Sequence, residues 1–307
     1  MTPIIKVSKL SKSYGKVKAV KDVNFQVNEG ELFAFLGPNG AGKTTTIDIV
    51  CTLLKPDNGV VTVNGYKLGE NDEYIRKSIG IVFQDSLLDD LLTVKENLFT
   101  RGSFYKLKRN KLSEAIEKAA NVTDVSSFIN RPYGKLSGGQ RRRADIARAL
   151  IHTPKILFLD EPTIGLDPQT RKSVWDTIRN LQKETGMTVF LTTHYMEEAA
   201  SADYMAIIDD GEITAEGTPS YLKNKYSRDT LKIFTKETEA LIKYLNIRNI
   251  GFTKFGNTFI ITVPSTLEAL PIIRDSEKLI SGFEVMEGNM DDVFVNITGK
   301  EMREDHK

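Results

Sequence analysis

The 307-residue sequence has one cysteine, one tryptophan and three histidines. It also has no apolar run approaching the roughly 18 residues needed to span a bilayer. A lone thiol, Cys51, excludes an intrachain disulfide and fits a reducing compartment. Neither charge is in excess, with 42 Lys and Arg against 41 Asp and Glu. No overall field therefore draws the chain to nucleic acid or to an anionic membrane, and nucleic acid is not an expected partner. The opening Met1-Thr2-Pro3 lacks the long apolar core of a signal peptide. The expectation is a soluble, cytoplasmic chain that reaches a membrane only through a partner. Its length suffices for a full α/β domain and a smaller second one.

What is present centres on Gly37-Pro38-Asn39-Gly40-Ala41-Gly42-Lys43-Thr44-Thr45. Glu31 to Leu36 reads as a short buried strand before this run, and Thr45 to Leu54 as a helix after it, which is the setting of a phosphate-binding P-loop. The glycines take backbone angles closed to other residues, so successive N–H groups can turn inward onto phosphate oxygens. The helix N-terminus adds unpaired donors and the positive end of its dipole. Lys43 is placed to reach the β- and γ-phosphates of a nucleotide, and the Thr44 hydroxyl to ligate the Mg2+ that bridges them. A Gly-rich turn capped by a lysine is the competing reading, but spacing, flanking elements and the Lys-Thr pair agree on the cradle.

Ile4 to Val7 and Val23 to Val27 alternate like strands, and between them Ser13-Tyr14-Gly15 presents an aromatic that can stack on a purine or pack on its own hairpin. Gly59 to Val63 is a strand closed by the turn signal Asn64-Gly65. Ile79 to Phe83 is a buried strand ending in Gln84, an amide that can reach a metal or water near the γ-phosphate or be satisfied by loop backbone. From about 87 to 152 the pattern turns helical, over Val94 to Phe104, Lys111 to Val122 and Gly138 to Ile151. The apolar residues Leu87, Leu88, Leu91, Leu92, Leu98, Phe99, Phe104 and Tyr105 exceed what a small helical core needs, and some are expected in a partner groove. Leu136-Ser137-Gly138-Gly139-Gln140 precedes the third helix; read alone it is an ordinary N-cap, or a second anion site without a lysine.

Ile156 to Glu161 is an apolar strand ending in two carboxylates. Asp160 is placed for magnesium and Glu161 for polarising an attacking water, the alternative being an acid pair capping the helix after Pro162. Met187 to Thr192 is a further strand, ending near His194, which can donate to the γ-phosphate or lie at the surface. Met205 to Asp209 and Glu212 to Ala215 form a hairpin about Asp210-Gly211. From Thr230 the order is β-α-β-β-α-β: strands at Leu231 to Phe234, Gly251 to Lys254, Thr258 to Val263 and Phe283 to Met286, helices at Glu237 to Leu245 and Leu267 to Ile280. A last helix is expected at Met290 to Val295, with a frayed tail from Lys300. This region holds no catalytic constellation.

Together these segments resemble the ATP-binding subunit of an ATP-binding-cassette (ABC) transporter, of the single-cassette type similar to drug-resistance and other ABC-2 exporters. The resemblance is close over residues 1 to about 225, and Leu136-Ser137-Gly138-Gly139-Gln140 ahead of Asp160-Glu161 carries it beyond the kinases and GTPases that share the P-loop. It implies an α/β P-loop NTPase cassette: a mixed-sheet core, an antiparallel β subdomain and a helical subdomain over 1–226, with a small α+β ferredoxin-like domain over 228–307. It implies two copies paired head to tail, each ATP lying between one P-loop and the partner's Ser137-Gly139 segment. It implies Tyr14 on adenine, Gln84 sensing magnesium and the membrane subunit, Glu161 as catalytic base and His194 on the γ-phosphate. The expected partners are a separate integral membrane permease and a second copy, which puts the chain on the cytoplasmic face of the membrane. Pro132-Tyr133-Gly134-Lys135 lacks the Thr-Glu-Val-Gly-type stretch of many fused exporters, so their coupling details do not transfer. The alternative is a non-transport cassette acting on a soluble macromolecular complex; such proteins usually carry two cassettes or a long coiled coil, and neither is seen in this sequence.

Overall fold

The computed structural model describes residues 3–299; Met1, Thr2 and the tail from Lys300 lie outside the described residues. The chain divides into two compact units, Met1–Thr218 and Pro219–Lys307.

In chain order the first unit contains β1 (Pro3–Tyr14), β2 (Val17–Asn28), β3 (Leu32–Leu36), α1 (Lys43–Val50), β4 (Asn58–Val63), β5 (Tyr66–Lys67), α2 (Asp72–Ser78) and β6 (Ile79–Val82). There follow α3 (Val94–Ser103), α4 (Arg109–Val122), α5 (Gly138–Leu150), β7 (Ile156–Asp160), α6 (Pro168–Thr185), β8 (Thr188–Thr193), α7 (Met196–Ala200), β9 (Tyr204–Asp209) and β10 (Glu212–Gly217). Two sheets result: an antiparallel one in the order β2-β1-β4-β5 and a six-stranded one in the order β10-β9-β3-β8-β7-β6. In the second sheet β9, β3, β8, β7 and β6 run parallel and β10 pairs antiparallel at the edge.

The central strands β3 and β7 are buried at every position, which is why they read as unbroken apolar runs rather than as alternation. Alternate side chains still part to opposite faces. Phe33, Phe35, Phe158 and Phe190 join Phe25, α1 and the antiparallel sheet in one core. Ring centroids of Phe25, Phe33, Phe35 and Phe158 lie 5.1–5.9 Å from that of Phe190. Burying each phenyl stabilises the sandwich by about 1.5–3 kcal/mol. The helices α5 and α7 pack on β6, β3 and β8.

Helix ends follow local chemistry. Thr93 begins α3 and Ser137 begins α5, each with a reciprocal capping box. Asp167 caps α6 ahead of Pro168, and Gly186 ends it in the left-handed conformation at φ 65°. The region from 87 to 152 is helical as expected. Helix α1 starts at Lys43, two residues before the sequence reading, because the loop glycines hand over directly to helical backbone.

The second unit contains α8 (Pro219–Tyr226), β11 (Asp229–Phe234), α9 (Thr238–Ile247), β12 (Thr253–Phe255), β13 (Thr258–Val263), α10 (Ala269–Ser276), β14 (Gly282–Met286) and α11 (Met290–Thr298). Its sheet order is β12-β13-β11-β14 with every neighbouring pair antiparallel. Leu231, Ile233, Leu241, Leu245, Phe259 and Ile261 form its own core. Two expectations need correction here. The boundary falls before Pro219 rather than at 226–228, because α8 packs on α11 and Asn296 Nδ2 donates to the Tyr226 carbonyl at 2.8 Å. The single helix over Leu267 to Ile280 is instead the short α10 between two 3-10 turns. Pro271 has no N–H to give and sits in the first turn of α10, where none is needed.

Candidate functional site

The parallel strands end together, and the residues after them meet at that edge. Leu36 pairs with Thr193 and Asp160 with Thr192, so the loop after β3, the acid pair at the end of β7 and His194 after β8 lie side by side. The pair Val82 and Leu159 brings Gln84, beyond β6, to the same edge. Sites of open α/β sheets form at such carboxyl ends.

The loop between β3 and α1 is wedged against its surroundings. A Cβ on Gly37 would lie 2.2 Å from the Ile208 carbonyl oxygen, and one on Gly42, at φ 104°, would lie 2.3 Å from that of Ala19. These glycines are required by contact as well as by backbone angle. Ala41 N donates to the Pro38 carbonyl at 3.2 Å, closing the turn over Asn39 and Gly40. Thr46 returns both its N–H (3.0 Å) and its hydroxyl (2.8 Å) to the Gly42 carbonyl, leaving Thr44 exposed and Thr45 half-buried on the first turn of α1.

Lys43 is only 5% exposed. Its ammonium donates to the carbonyls of Gly37 (2.7 Å) and Pro38 (3.1 Å) and lies 3.5 Å from Glu161 Oε1. Burial pushes its pKa down, opposed chiefly by the charge of Glu161. The other Glu161 oxygen lies 3.3 Å from His194 Nδ1. Burial alone would raise the Glu161 pKa, but His194 and then Lys43 outweigh it and hold the carboxyl below the usual range. Asp160 goes the other way: burial, outweighing the hydrogen bond from Thr192, pushes its pKa up.

Thr192 joins the two acids. Its hydroxyl donates to Asp160 Oδ1 at 2.6 Å and accepts the N–H of Glu161 at 3.0 Å. Glu161 sits at φ 44°, a left-handed conformation uncommon outside glycine. The Thr44 hydroxyl lies 3.4 Å from Asp160 Oδ2, so hydroxyl and carboxylate converge from α1 and β7.

The structure thus brings together Lys43, Thr44, Asp160, Glu161 and His194. Tyr14 is 52% exposed at the tip of the β1–β2 hairpin, whose second strand passes the loop at Ala19. The Gln84 side chain is exposed. Ser137 and Gly138 are exposed at the start of α5, where Ser137 Oγ accepts from Gln140 N at 3.4 Å and Gln140 Oε1 from Ser137 N at 3.1 Å. Gly139 is buried, and a Cβ there would meet Thr170 Cγ2 at 2.4 Å. Sequence reasoning missed Thr192, a polar residue at an apolar strand's end, and Arg142, which looks like one member of a solvated Arg141-Arg142-Arg143 run.

Oxygen donors suit a hard divalent cation, and Thr44 with Asp160 is such a set. The cradle of close-fitting glycines ahead of a helix N-terminus suits a polyphosphate.

The sign of the Glu161 shift gives a test. A carboxyl held below its unfolded value contributes stability that is present above the ordinary glutamate pKa of 4.5 and is lost as pH falls through the lower folded one. Glutamine mimics the protonated acid. The melting-temperature deficit of Glu161→Gln should therefore be largest near pH 7 and shrink towards about pH 3, followed by circular dichroism. A deficit that is flat or grows on acidification would mean that Lys43 and His194 do not stabilise the ionised form.

The ABC transporter family matches residues 20–164. Along 98% of this chain and 100% of its own length, the linearmycin resistance ATP-binding protein of Bacillus subtilis is 35% identical. The daunorubicin/doxorubicin resistance ATP-binding protein of Streptomyces peucetius is 35% identical over 97% of this chain and 93% of its own. Among solved structures, cbiO1 of Clostridium perfringens, part of an ABC transporter complex, superposes with a TM-score of 0.68 at 28% identity, covering 81% of this chain and 96% of that one. A dimeric ATP-binding cassette in a post-hydrolysis state, bound to ADP and Pi, superposes with a TM-score of 0.63 at 31% identity over 70% of this chain and 98% of its own. The chain belongs to the ATP-binding subunits of ABC transporters and is an ATP-hydrolysing cassette of that family.

Proposed function

We propose that this cassette powers an exporter, acting as a head-to-tail pair bound to a separate membrane permease, with Glu161 as the group that polarises the attacking water. The observation that carries the reading is the joint approach of Lys43 and His194 to the two oxygens of Glu161, beside Asp160 and Thr44. Lys43 would leave Glu161 for the β- and γ-phosphates, and the loop N–H groups and Thr45 would line the phosphate path. Glu161 would accept a proton from water attacking the γ-phosphorus as the bond to the β-bridging oxygen breaks, and His194 would donate to a γ-oxygen. Magnesium, when bound, would be held by Thr44 and Asp160 with Gln84 nearby, and would supply positive charge to the phosphate oxygens. Tyr14 would stack on adenine. The described residues from 219 to 299 hold no part of this cluster, and the region is read as an accessory ferredoxin-like domain that assists pairing or regulation.

Lys43→Ala should lose ATP affinity in a binding titration. Glu161→Gln should keep that affinity while turnover falls by about 10²-fold or more. Equal loss of binding in both would contradict the two roles.

The pairing is supported by the exposure of Ser137 and Gly138, whose hydrogen bonds at this end of α5 leave outward faces open. Lys43 and Ser137 of one chain then belong to different sites of the pair. Lys43→Ala and Ser137→Arg should each be inactive alone, but a mixed dimer has one site with both parts intact. Random mixing should recover roughly a quarter of the natural ATPase rate if sites act independently. Absence of recovery from mixed dimers verified by tagged co-purification would remove the independent composite site.

The permease is expected to meet the segment after Gln84. Leu91 is 89% exposed and Phe104 71% exposed, with Leu87 and Tyr105 also exposed, whereas Leu88 and Leu98 are buried. Leu91→Glu should leave the ATPase rate of the isolated cassette within about twofold while abolishing transport in cells. Unfolding of Leu91→Glu would make the residue part of the core instead.

A further inference from the structure

Arg142, in the second turn of α5, is 7% exposed. Its guanidinium is given over to main-chain oxygens. Nε donates to the Pro162 carbonyl at 2.6 Å, and Nη2 to those of Asp160 (2.9 Å) and Glu161 (3.0 Å). Nη1 donates to the carbonyl of Phe83 at 2.5 Å and approaches that of Gln84 at 3.5 Å. A guanidinium is a planar fork of N–H donors, and only such a fork spans both chain segments at once. One segment leaves β6 with Gln84, the other leaves β7 with Asp160 and Glu161.

Glu161 is the residue that most needs this support. With φ at 44°, its backbone would relax to an ordinary angle unless held on both sides of Cα. Thr192 holds the N–H, and Arg142 holds the carbonyl and that of the next residue. Relaxation would turn the carboxylate away from Lys43 and His194. Four close carbonyl partners would also lose their donor in a region with little water to replace it.

We infer that Arg142 is a positioning residue that sets the direction of the Glu161 carboxylate, so that the helix beginning at Ser137 governs hydrolysis in its own subunit. The inference rests on the reading of Glu161 as the water-polarising group. It gives successive turns of α5 two tasks: its first residues face outward, and its second turn clasps the acid pair. A shift of the helix would then move Glu161 without touching the phosphate loop.

Arg142→Lys and Arg142→Gln, in the full chain, test it. Both should bind ATP with a dissociation constant within about threefold of the natural value, since the Lys43 loop is untouched, while kcat falls roughly 10- to 100-fold. Placed in the Glu161→Gln background, Arg142→Lys should cause no further loss of the residual rate. A kcat unchanged in both variants would overturn the proposal, as would the same fold-loss in the Glu161→Gln background, which would mean a route other than Glu161. Loss of cooperative unfolding or of ATP binding in both variants would assign Arg142 to the fold as a whole and also overturn it. If Glu161→Gln alone hydrolyses ATP at the natural rate, the reading of Glu161 fails, and the proposal with it, whatever Arg142 does.

Discussion

One hydroxyl decides how the acid pair is presented. Thr192 Oγ1 gives its hydrogen to Asp160 and receives the N–H of Glu161, so a single atom orients one carboxylate and fixes the backbone of the next residue. This is possible only because β7 and β8 are parallel and in register at Asp160 and Thr192. A slip of one residue would turn every side chain of one strand to the opposite face and separate the three groups. The register is protected by the buried phenyl rings of Phe158 and Phe190, which meet two pairs back from it. Core packing and site geometry are therefore one constraint: the sheet cannot be loosened without scattering the acids.

Much of this was legible in the sequence, for a physical reason. A strand buried on both faces is continuously apolar, so β3, β7 and β8 and the polar residues ending them stand out, and the loop glycines mark sharp turns. Local patterns fail where long-range contact decides. The short α2 and α7 are held by neighbours rather than by periodicity of their own, and α8 belongs with α11 across a long stretch of chain. Arg142 is indistinguishable by type from Arg141 and Arg143 on either side. Arg141 is half-exposed and runs to Asp90 and the Gly134 carbonyl, and Arg143 to Asp124. What separates Arg142 is the direction it faces on α5, and that depends on where β6 and β7 end.

A second polar cluster ties the loop after Gln84 to the same helix. Asp145 is buried and accepts from Ser86 at 2.7 Å and from the Tyr133 hydroxyl at 3.1 Å, while that hydroxyl also donates to Ser86 at 2.8 Å in the alternative orientation. Burial raises the Asp145 pKa against these hydrogen bonds. The Tyr133 hydroxyl is pushed beyond its usual range, first by burial and then by the nearby carboxylate. Neither group is easily spared: removing either leaves the other buried with fewer partners. The exposed apolar residues near Leu91 thus lie on a segment whose start is bonded to α5, the helix that also carries Ser137 and Arg142. Ser86 and Tyr133 on Asp145, and Arg142 on the carbonyls of Asp160 and Glu161, are thus contacts of one helix with both the segment and the acid pair.

The electrostatics of Lys43 and Glu161 give the site an order of events. Before phosphate arrives, Lys43 has two carbonyls and one Glu161 oxygen around its ammonium, so its charge is already met in a buried place. Under the proposed reading a γ-phosphate would replace that carboxylate with a better-charged partner, and the gain would be a difference between two contacts rather than a new one. Glu161 would then lose the lysine that helps hold its pKa down and gain an anion nearby, and both changes would raise its affinity for a proton. Under the proposed reading, the carboxylate is therefore a weak base while the site is empty and a stronger one only when a phosphate is in place. A base tuned in this way activates water where there is something for the water to attack, provided its backbone stays in the left-handed conformation that directs it there.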